Sequence, residues 1–202
     1  MPKVVDHDAR RTHLVEATWR IIARRGLERA TLREVATAAG FANGALKPYF
    51  PTKSHLVEAT YRYVFARTNE RVAATTRGLD GLAALRAFAL EVLPLDEERL
   101  DEARVVIPFW QSAVHDEAQA RVNATAMEQW RGWIAGWLTV VRADRGGGRS
   151  AVDRDAVTDA EALLNFLLGA QISAVLAGSA PTTPLPEQLD ALLDALTGSG
   201  PG

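Results

Sequence analysis

No cysteine occurs among the 202 residues, so the chain forms no disulfide and offers no thiolate to a metal. No run of 18 or more apolar residues occurs either, the length a membrane-crossing helix needs. The opening Met1-Pro2-Lys3-Val4-Val5-Asp6-His7-Asp8 lacks the apolar core of a secretory signal. A soluble, cytoplasmic protein is therefore expected. Histidine is scarce. The four, His7, His13, His55 and His115, stand apart with no neighbouring ligand set and read as surface or helix-end residues. His115 beside Asp116 reads as a helix boundary rather than an acid–base pair. Metal-ligand spacing, a glycine-rich phosphate loop and a nucleophile elbow are all missing. The chain is expected not to be an enzyme and to hold no catalytic residue, metal or cofactor. Internal repeats and strand-like alternation are absent too, which leaves an all-α chain long enough to bury a core as one large or two small domains.

What is present is a split in charge. Residues 1–77 carry 14 Lys/Arg against 7 Asp/Glu, whereas the remaining 125 carry 9 against 18. The net charge of −2 conceals this. A basic front on an acidic back suggests a nucleic-acid-binding end joined to a part that does not touch nucleic acid. Separately solvated surfaces would give the same counts.

Within the basic part, Thr31 to Phe50 organises the chain. Leu32, Val35, Ala36 and Ala39 share one helical face, Thr31 stands where a cap belongs, and Glu34 three residues on completes a capping-box pattern. Gly40 follows the last periodic residue, where a left-handed turn ends a helix. A second short helix can start at Asn43 and bury Leu46, Tyr49 and Phe50. Two short helices joined by a glycine-containing turn form either a helix-turn-helix, whose second helix enters the major groove, or an ordinary helical corner.

Taken in order, a first helix spans residues 9–25, with Leu14, Ala17, Thr18, Ile21 and Ile22 on one stripe and Gly26 as its stop. Arg10 and Arg11 oppose its dipole, so they face either a phosphate backbone or solvent. A longer helix runs from Lys53 to about Arg77, capped by Thr52 or Ser54. Its amino end suits a phosphate oxygen, and it can transmit movement to the rest of the chain. Further helices are expected over about 79–93, with Leu82, Leu85, Phe88, Ala89 and Val92 inward, and about 96–115, kinked near Arg104–Ile107 by Pro108. Others follow over 116–143, 153–177 and 187–197. Gly146-Gly147-Gly148-Arg149-Ser150 reads as a flexible linker, and Pro181 to Pro186 as a rigid loop.

Two features of the acidic part bear on function. On helix 116–143, Met127, Trp130, Trp133, Ile134, Trp137 and Val141 share one broad arc, the three tryptophans within roughly 60° of one another. With Phe88, and with Phe109 and Trp110 after Pro108, they line a cavity for an aromatic, apolar or cationic ligand, or they are core. Glu128 points away from this arc, so no carboxylate in that stretch of helix favours a cation. Asn165 and Gln171 either orient a ligand or bond across a dimer interface. The last two helices are apolar over more than a narrow stripe. Leu163, Leu164, Leu167, Leu168, Ile172, Val175 and Leu176, with Leu189, Leu192, Leu193 and Leu196, fill a monomer core or meet a second copy. Since a helix-turn-helix module usually reads two half-sites as a dimer, a homodimer through Leu164, Leu168, Ile172, Leu189 and Leu193 is expected.

The run Leu14-Val15-Glu16-Ala17-Thr18, Gly26, Ala30-Thr31, Val35-Ala36, Ala39-Gly40, Gly44, Leu46, Tyr49-Phe50, Lys53 and Leu56 resembles the TetR family of one-component transcriptional regulators. Phe166-Leu167-Leu168-Gly169 and the paired terminal helices look most like the BetI-like branch of that family. The resemblance implies a three-helix DNA-binding head, residues 1–52, and a ligand-binding and dimerisation body, residues 53–202. It also implies roles. Thr31 would touch phosphate, Arg33 would read guanine, and Asn43, Gly44 and Ala45 would lie on the reading side. Lys47 would hold a phosphate as a point charge, and Tyr49 and Lys53 would contact the backbone. Three departures stand out. Ala42 replaces the usual serine cap, Lys47 replaces a common aromatic, and Pro48 sits inside the recognition helix, which predicts a helix of barely two turns.

The resulting expectation is a homodimeric repressor of a roughly palindromic double-stranded DNA operator, released by a small-molecule effector. DNA and effector would disfavour each other reciprocally by roughly 1–3 kcal/mol, as is typical of such coupling. The rival readings are an activator of the same family and a helical dimeric scaffold that binds a protein. Salt separates DNA from protein binding, since only the former weakens steeply through counterion release.

Overall fold

The computed structural model describes residues 6–42, 44–144, 149–177 and 182–198, with side chains in the last long helix from residue 156 onward. Among the described residues there is no strand. The helices are α1 (His7–Arg25), α2 (Leu32–Ala38), α3 (Lys53–Thr75), α4 (Gly81–Val92), α5 (Glu97–Ala113), α6 (Glu117–Ala143), α7 (Arg149–Leu176) and α8 (Leu185–Thr197), with a 3-10 turn at Leu27–Arg29. Contacts divide the chain into two compact units. One comprises the chain up to Ala66 together with Asp101–Gln119; the other comprises Arg67–Leu100 and the chain from Ala120 onward. The first compact unit thus runs past residue 52 to Ala66 and also takes in residues 101–119.

In the first unit, Asp6 caps α1 by accepting from the amides of Asp8 and Ala9 at 3.1 and 3.0 Å. The predicted stripe Leu14, Ala17, Thr18, Ile21 and Ile22 is buried, and the Thr18 hydroxyl, inside the core, donates to the Leu14 carbonyl at 2.8 Å. Val35, Ala36, Leu46, Phe50, Leu56, Ala59 and Val64 complete one apolar core with these residues. Val105 of α5 belongs to the same core, and Phe109 stacks on Tyr61 with centroids 3.9 Å apart and planes 11° apart. The Gln119 amide nitrogen donates to the Ser54 hydroxyl, so the start of α6 meets the start of α3.

In the second unit, Ala84, Leu85, Phe88, Ala89 and Val92 of α4 pack with Met127, Trp130, Ile134 and Leu138 of α6 and with Leu163, Leu164 and Leu167 of α7 as the buried set. Leu82, expected to face inward, is 37% exposed. The buried stripe of α4 runs through Gly81, Ala84, Leu85, Phe88, Ala89 and Val92, and at 100° per residue Leu82 falls on its flank. Arg86 holds Asp190 of α8 through two bonds of 2.7 and 3.1 Å. Arg142 of α6 meets Asp159 of α7. Between α3 and the α4–α5 corner, the Glu91 carboxylate receives both Arg71 and Arg99, at 3.1 and 2.8 Å.

Gly146, Gly147 and Gly148 of the expected linker lie outside the described residues, and Arg149 and Ser150 are already helical. Pro181 also lies outside them, whereas Pro184 caps α8 and Pro186 occupies its first turn, where a missing N–H costs no bond. Ala156–Leu176 is long and apolar enough to cross a membrane by length and composition, which a count of unbroken apolar residues overlooked. Here Ala156, Ala160, Leu163, Leu164 and Leu167 are buried in the unit's own core.

Candidate nucleic-acid interface and effector site

Helix α2 is only seven residues long, so its ends decide whether it forms. At the front, the Thr31 hydroxyl oxygen accepts from the Glu34 amide at 3.1 Å. The reciprocal half of the expected capping box is not made. The Glu34 carboxylate is taken by Arg25 at 2.5 Å, and the Thr31 amide donates to the Arg29 carbonyl at 2.9 Å. At the back, Gly40 has φ +73°, its amide reaches the Thr37 carbonyl at 3.1 Å, and the Phe41 amide reaches Ala36 at 2.8 Å. This is the Schellman closure, which needs a left-handed residue at Gly40.

The segment that follows departs from expectation. Residues 44–49 are successive turns and not an α-helix. The amides of Ala45, Lys47 and Tyr49 each bond three residues back, to Ala42, Gly44 and Leu46, and among the described residues of the segment only Phe50 reaches four back, to Leu46 at 2.8 Å. Two residues account for this. Gly44 has φ +92°, outside helical geometry, and Pro48 has no N–H for the Gly44 carbonyl and biases Lys47 away from it. Leu46 and Phe50 are still buried as expected, with Tyr49 half-buried. Asn43, expected to start the second helix and to lie on its reading side, lies outside the described residues.

The remaining residues expected at DNA fall as follows. Thr31, Arg33, Gly44 and Lys47 are exposed, and Ala45 is half-buried. Lys53 is tied down, its ammonium donating to the Leu27 carbonyl at 2.7 Å. Two of its N–H donors remain for a phosphate. Of the other cations in this unit, Arg20 is engaged with Glu16, Arg25 with Glu34 and Arg62 with Glu58, whereas Arg24 and Arg29 are exposed and enter no side-chain ion pair among the described residues. Among the described residues the side chains of Arg33 and Lys47 enter no hydrogen bond or ion pair. Arg10 and Arg11, left between phosphate and solvent by the sequence, lie over aromatic rings.

The expected effector residues separate into two groups. Phe109 and Trp110 belong to the first unit, where Phe109 stacks on Tyr61. Burial pushes the Tyr61 hydroxyl above the ordinary tyrosine range, against the opposing influence of the Arg62 charge and the Trp110 indole. In the second unit Phe88 is fully buried, with Trp130 and Trp133 edge-on at 5.6 and 6.4 Å and Trp137 tilted at 5.8 Å. Trp130 and Met127 are buried, while Trp133 and Trp137 are half-buried. The Trp130 indole donates to the Asn69 side-chain oxygen at 2.8 Å, a partner the sequence did not single out because it lies 61 residues away. Asn165 is exposed and so is not placed to orient an enclosed ligand. Gln171 is buried. Its amide nitrogen donates to the Val92 carbonyl at 3.0 Å, and its oxygen has no partner among the described residues.

Of the residues expected at a dimer interface, Leu164, Leu189 and Leu193 are 3% exposed or less within one chain. They serve the monomer core, which apolarity alone could not tell from an interface. Leu168 is half-buried, and Ile172 and Leu176 are exposed. Alongside them a groove of about 410 Å³ runs between α7 and α8, lined by Phe166, Gly169, Ser173, Ala174 and Gln188 among others.

A capped short helix and glycine turn at the basic end, with an aromatic-cored helical body, is the build of a helix-turn-helix transcriptional regulator. Residues 14–60 match the family model for bacterial regulatory proteins of the tetR family, and residues 81–198 match that for the BetI-type transcriptional repressor C-terminal domain. The chain therefore belongs to the TetR family of transcriptional regulators, with a BetI-type C-terminal domain. Both family models describe transcriptional regulators, and neither describes an enzyme. It is 36% identical over 116 residues to the HTH-type transcriptional regulator PksA of Bacillus subtilis, covering 57% of each. It is 33% identical over 126 residues to the HTH-type transcriptional regulator BetI of Serratia proteamaculans, covering 61% of this chain and 64% of that one. These matches span about three-fifths of the curated relatives. A transcriptional regulator structure from Rhodococcus sp. RHA1 superposes with TM-score 0.77 at 30% identity over 94% of both chains. A regulator from Saccharomonospora viridis, solved in complex with choline, has the same fold at TM-score 0.74 and 21% identity, over 95% of both chains.

Proposed function

We propose that the chain is a homodimeric, effector-released repressor that reads a palindromic operator, working in the cytoplasm. The observation that carries the DNA-reading part is the contrast among cations at the basic end. Arg20, Arg25 and Arg62 are paired to carboxylates, whereas Arg33 in the first turn of α2 and Lys47 in the turns after it are, like Arg24 and Arg29 before α2, exposed with no side-chain partner among the described residues. Arg33 would pair with guanine, Lys47, Tyr49, Lys53 and Thr31 with phosphates, and Asn43, Gly44 and Ala45 would lie against base edges. The Thr31 oxygen accepts from Glu34, which leaves its hydroxyl hydrogen free for a phosphate. The working division is a head of residues 1–52 and a body of residues 53–202.

The effector would sit in the body against Phe88, Met127, Trp130, Trp133 and Trp137. Gln171 would supply the polar contact through its unpartnered buried oxygen. Half-buried tryptophans suit an aromatic, apolar or cationic molecule, and the choline held by the Saccharomonospora relative makes a quaternary ammonium the first compound to try. Dimerisation would use Leu168, Ile172 and Leu176 beside the α7–α8 groove, with Leu164, Leu189 and Leu193 supporting that face from within. Effector binding would move α3, which runs from Lys53 in one unit to Thr75 in the other. The test is a gel-shift titration on the chain's own upstream region, with and without candidate effectors. A retarded complex at low salt that one compound dissolves is expected. No complex with any duplex would refute DNA reading, and a complex indifferent to every compound class would refute effector release.

A further inference from the structure

The irregular reading segment is held from outside. Among the described residues from Phe41 to Phe50, the backbone makes three bonds of the three-residue kind and one of the helical kind, with a left-handed Gly44 and a donorless Pro48 among them. So few local bonds open at little cost, and something else must fix the register of the segment. The structure supplies it from α1. The Arg10 guanidinium lies 5.7 Å from the Phe41 ring centre and that of Arg11 lies 4.8 Å from Phe50. The His7 ring sits 5.6 Å from Tyr49, and that of His13 lies 6.2 Å from Phe41. His7, Arg10 and Arg11 are spaced by three and four residues, so one face of α1 meets both ends of the segment.

We propose that the first turns of α1 are a positioning clamp for the DNA-reading segment, with Arg10 and Arg11 acting through the rings of Phe41 and Phe50 instead of on phosphate. This rests on residues 41–50 being the segment that reads DNA. Two cations in the first turns of a helix oppose its dipole, and the negative faces of the two rings compensate them. Arg10 and Arg11 are thus positioning residues. They touch no base, and their removal blurs which base edge Ala45 meets and which phosphate Lys47 holds.

The test compares the wild type with the double variant Arg10→Gln, Arg11→Gln. Arg24→Gln, an exposed arginine at the far end of α1, is the charge control. Amide exchange in the free protein is read at Ala45, Lys47, Tyr49 and Phe50. Affinity is read across salt for a duplex selected by the wild type from a random pool, and for an unselected duplex. A clamp predicts faster exchange at those amides in the double variant, with Val35 and Ala39 of the α2 closure unchanged and Arg24→Gln like the wild type. Affinity for the selected duplex should fall about 5- to 30-fold, the loss of two exposed cation–ring contacts, with the salt slope unchanged. Restoring charge with Arg10→Lys, Arg11→Lys should recover most of the exchange protection.

Unchanged exchange at 45–50 overturns the clamp. Equal losses on both duplexes, with a slope shallower by about 0.9 per arginine, make the two residues phosphate ligands and overturn it too. If the wild type binds no duplex at all, the DNA-reading assignment falls, and the exchange arm still decides the clamp.

Discussion

Pro48→Ala tests the physical cause of the turn segment. The Gly44 carbonyl now accepts from Lys47 at 3.3 Å, a long bond, and the helical donor to it, the amide of residue 48, does not exist. Alanine supplies that donor and frees Lys47 to take helical angles. A proline inside a helix costs ~3 kcal/mol relative to alanine, and the added bond contributes ~1 kcal/mol of that difference. The unfolded chain also regains ~0.4–1 kcal/mol of freedom, which lowers overall stability but acts equally on the turn and helical forms. Gly44 remains left-handed, so the new helix starts no earlier than Ala45 and stays short. A helix this short realises only part of the interior difference, ~1–2 kcal/mol toward the helical form, a shift of roughly 5- to 30-fold in its population. The assay is backbone carbon chemical shifts and amide exchange at residues 45–50, with duplex affinity measured in parallel. Helical shifts and slower exchange at Lys47 are expected, with an altered preference among duplexes because the reading side chains turn about the new axis. Shifts identical to the wild type would refute the reasoning. Gly44 and the packing of Leu46 and Phe50 alone would then impose the turns, and Pro48 would be a bystander.

Other expectations follow from single contacts. Lys47→Ala should weaken all duplexes evenly and reduce the salt slope by about 0.9, whereas Arg33→Ala should cost ~1–3 kcal/mol on the selected duplex and relax one base position; anisotropy titrations on both duplexes separate the two patterns. Phe88→Ala removes a fully buried ring on which three tryptophans converge, so it should cost ~3–5 kcal/mol in denaturant unfolding and change the tryptophan emission. The Arg86 hydrogen bonds hold the Asp190 carboxyl below the ordinary carboxylate range. A lowered carboxylate adds stability above its unfolded pKa and loses it as pH falls through the folded value. A double-mutant cycle on the pair should therefore show a coupling at pH 7 that fades in acid and in salt. Both partners are nearly half exposed, so the coupling should stay under ~1 kcal/mol.

The helices were legible because burial repeats at helical spacing. Leu14, Ala17, Thr18, Ile21 and Ile22 are buried as their periodicity requires, and Gly40 ends α2 in the predicted left-handed turn. Caps carried the boundaries where their residue types are specific, as at Thr31, and Glu34 shows the limit. A capping-box glutamate turned to Arg25 because a full charge outweighs a backbone amide, and Arg25 comes from another helix. In the reading segment, Pro48 announced a shortened helix. Its combination with a left-handed Gly44, which removes the helix altogether, depends on backbone angles that glycine leaves open. In the body, apolarity marked Leu164, Leu189 and Leu193 for burial, but one chain suffices to bury them. Similarly the tryptophan arc on α6 is visible by arithmetic, whereas Asn69 approaches it from a helix whose placement no local pattern encodes. The grouping of residues 101–119 with the amino-terminal unit has the same origin, since Val105 reaches its core from far along the chain.

The most direct measurement is an anisotropy titration of the full chain against a duplex selected from a random pool, repeated over a range of salt and across protein concentration. Reading by exposed cations at the basic end, in a paired chain, requires saturation at two chains or a multiple per duplex. It also requires a selected-to-random preference of at least a thousandfold, as for specific DNA-binding proteins, and affinity that falls steeply as salt rises. A flat salt response, or equal affinity for selected and random duplexes, would contradict it.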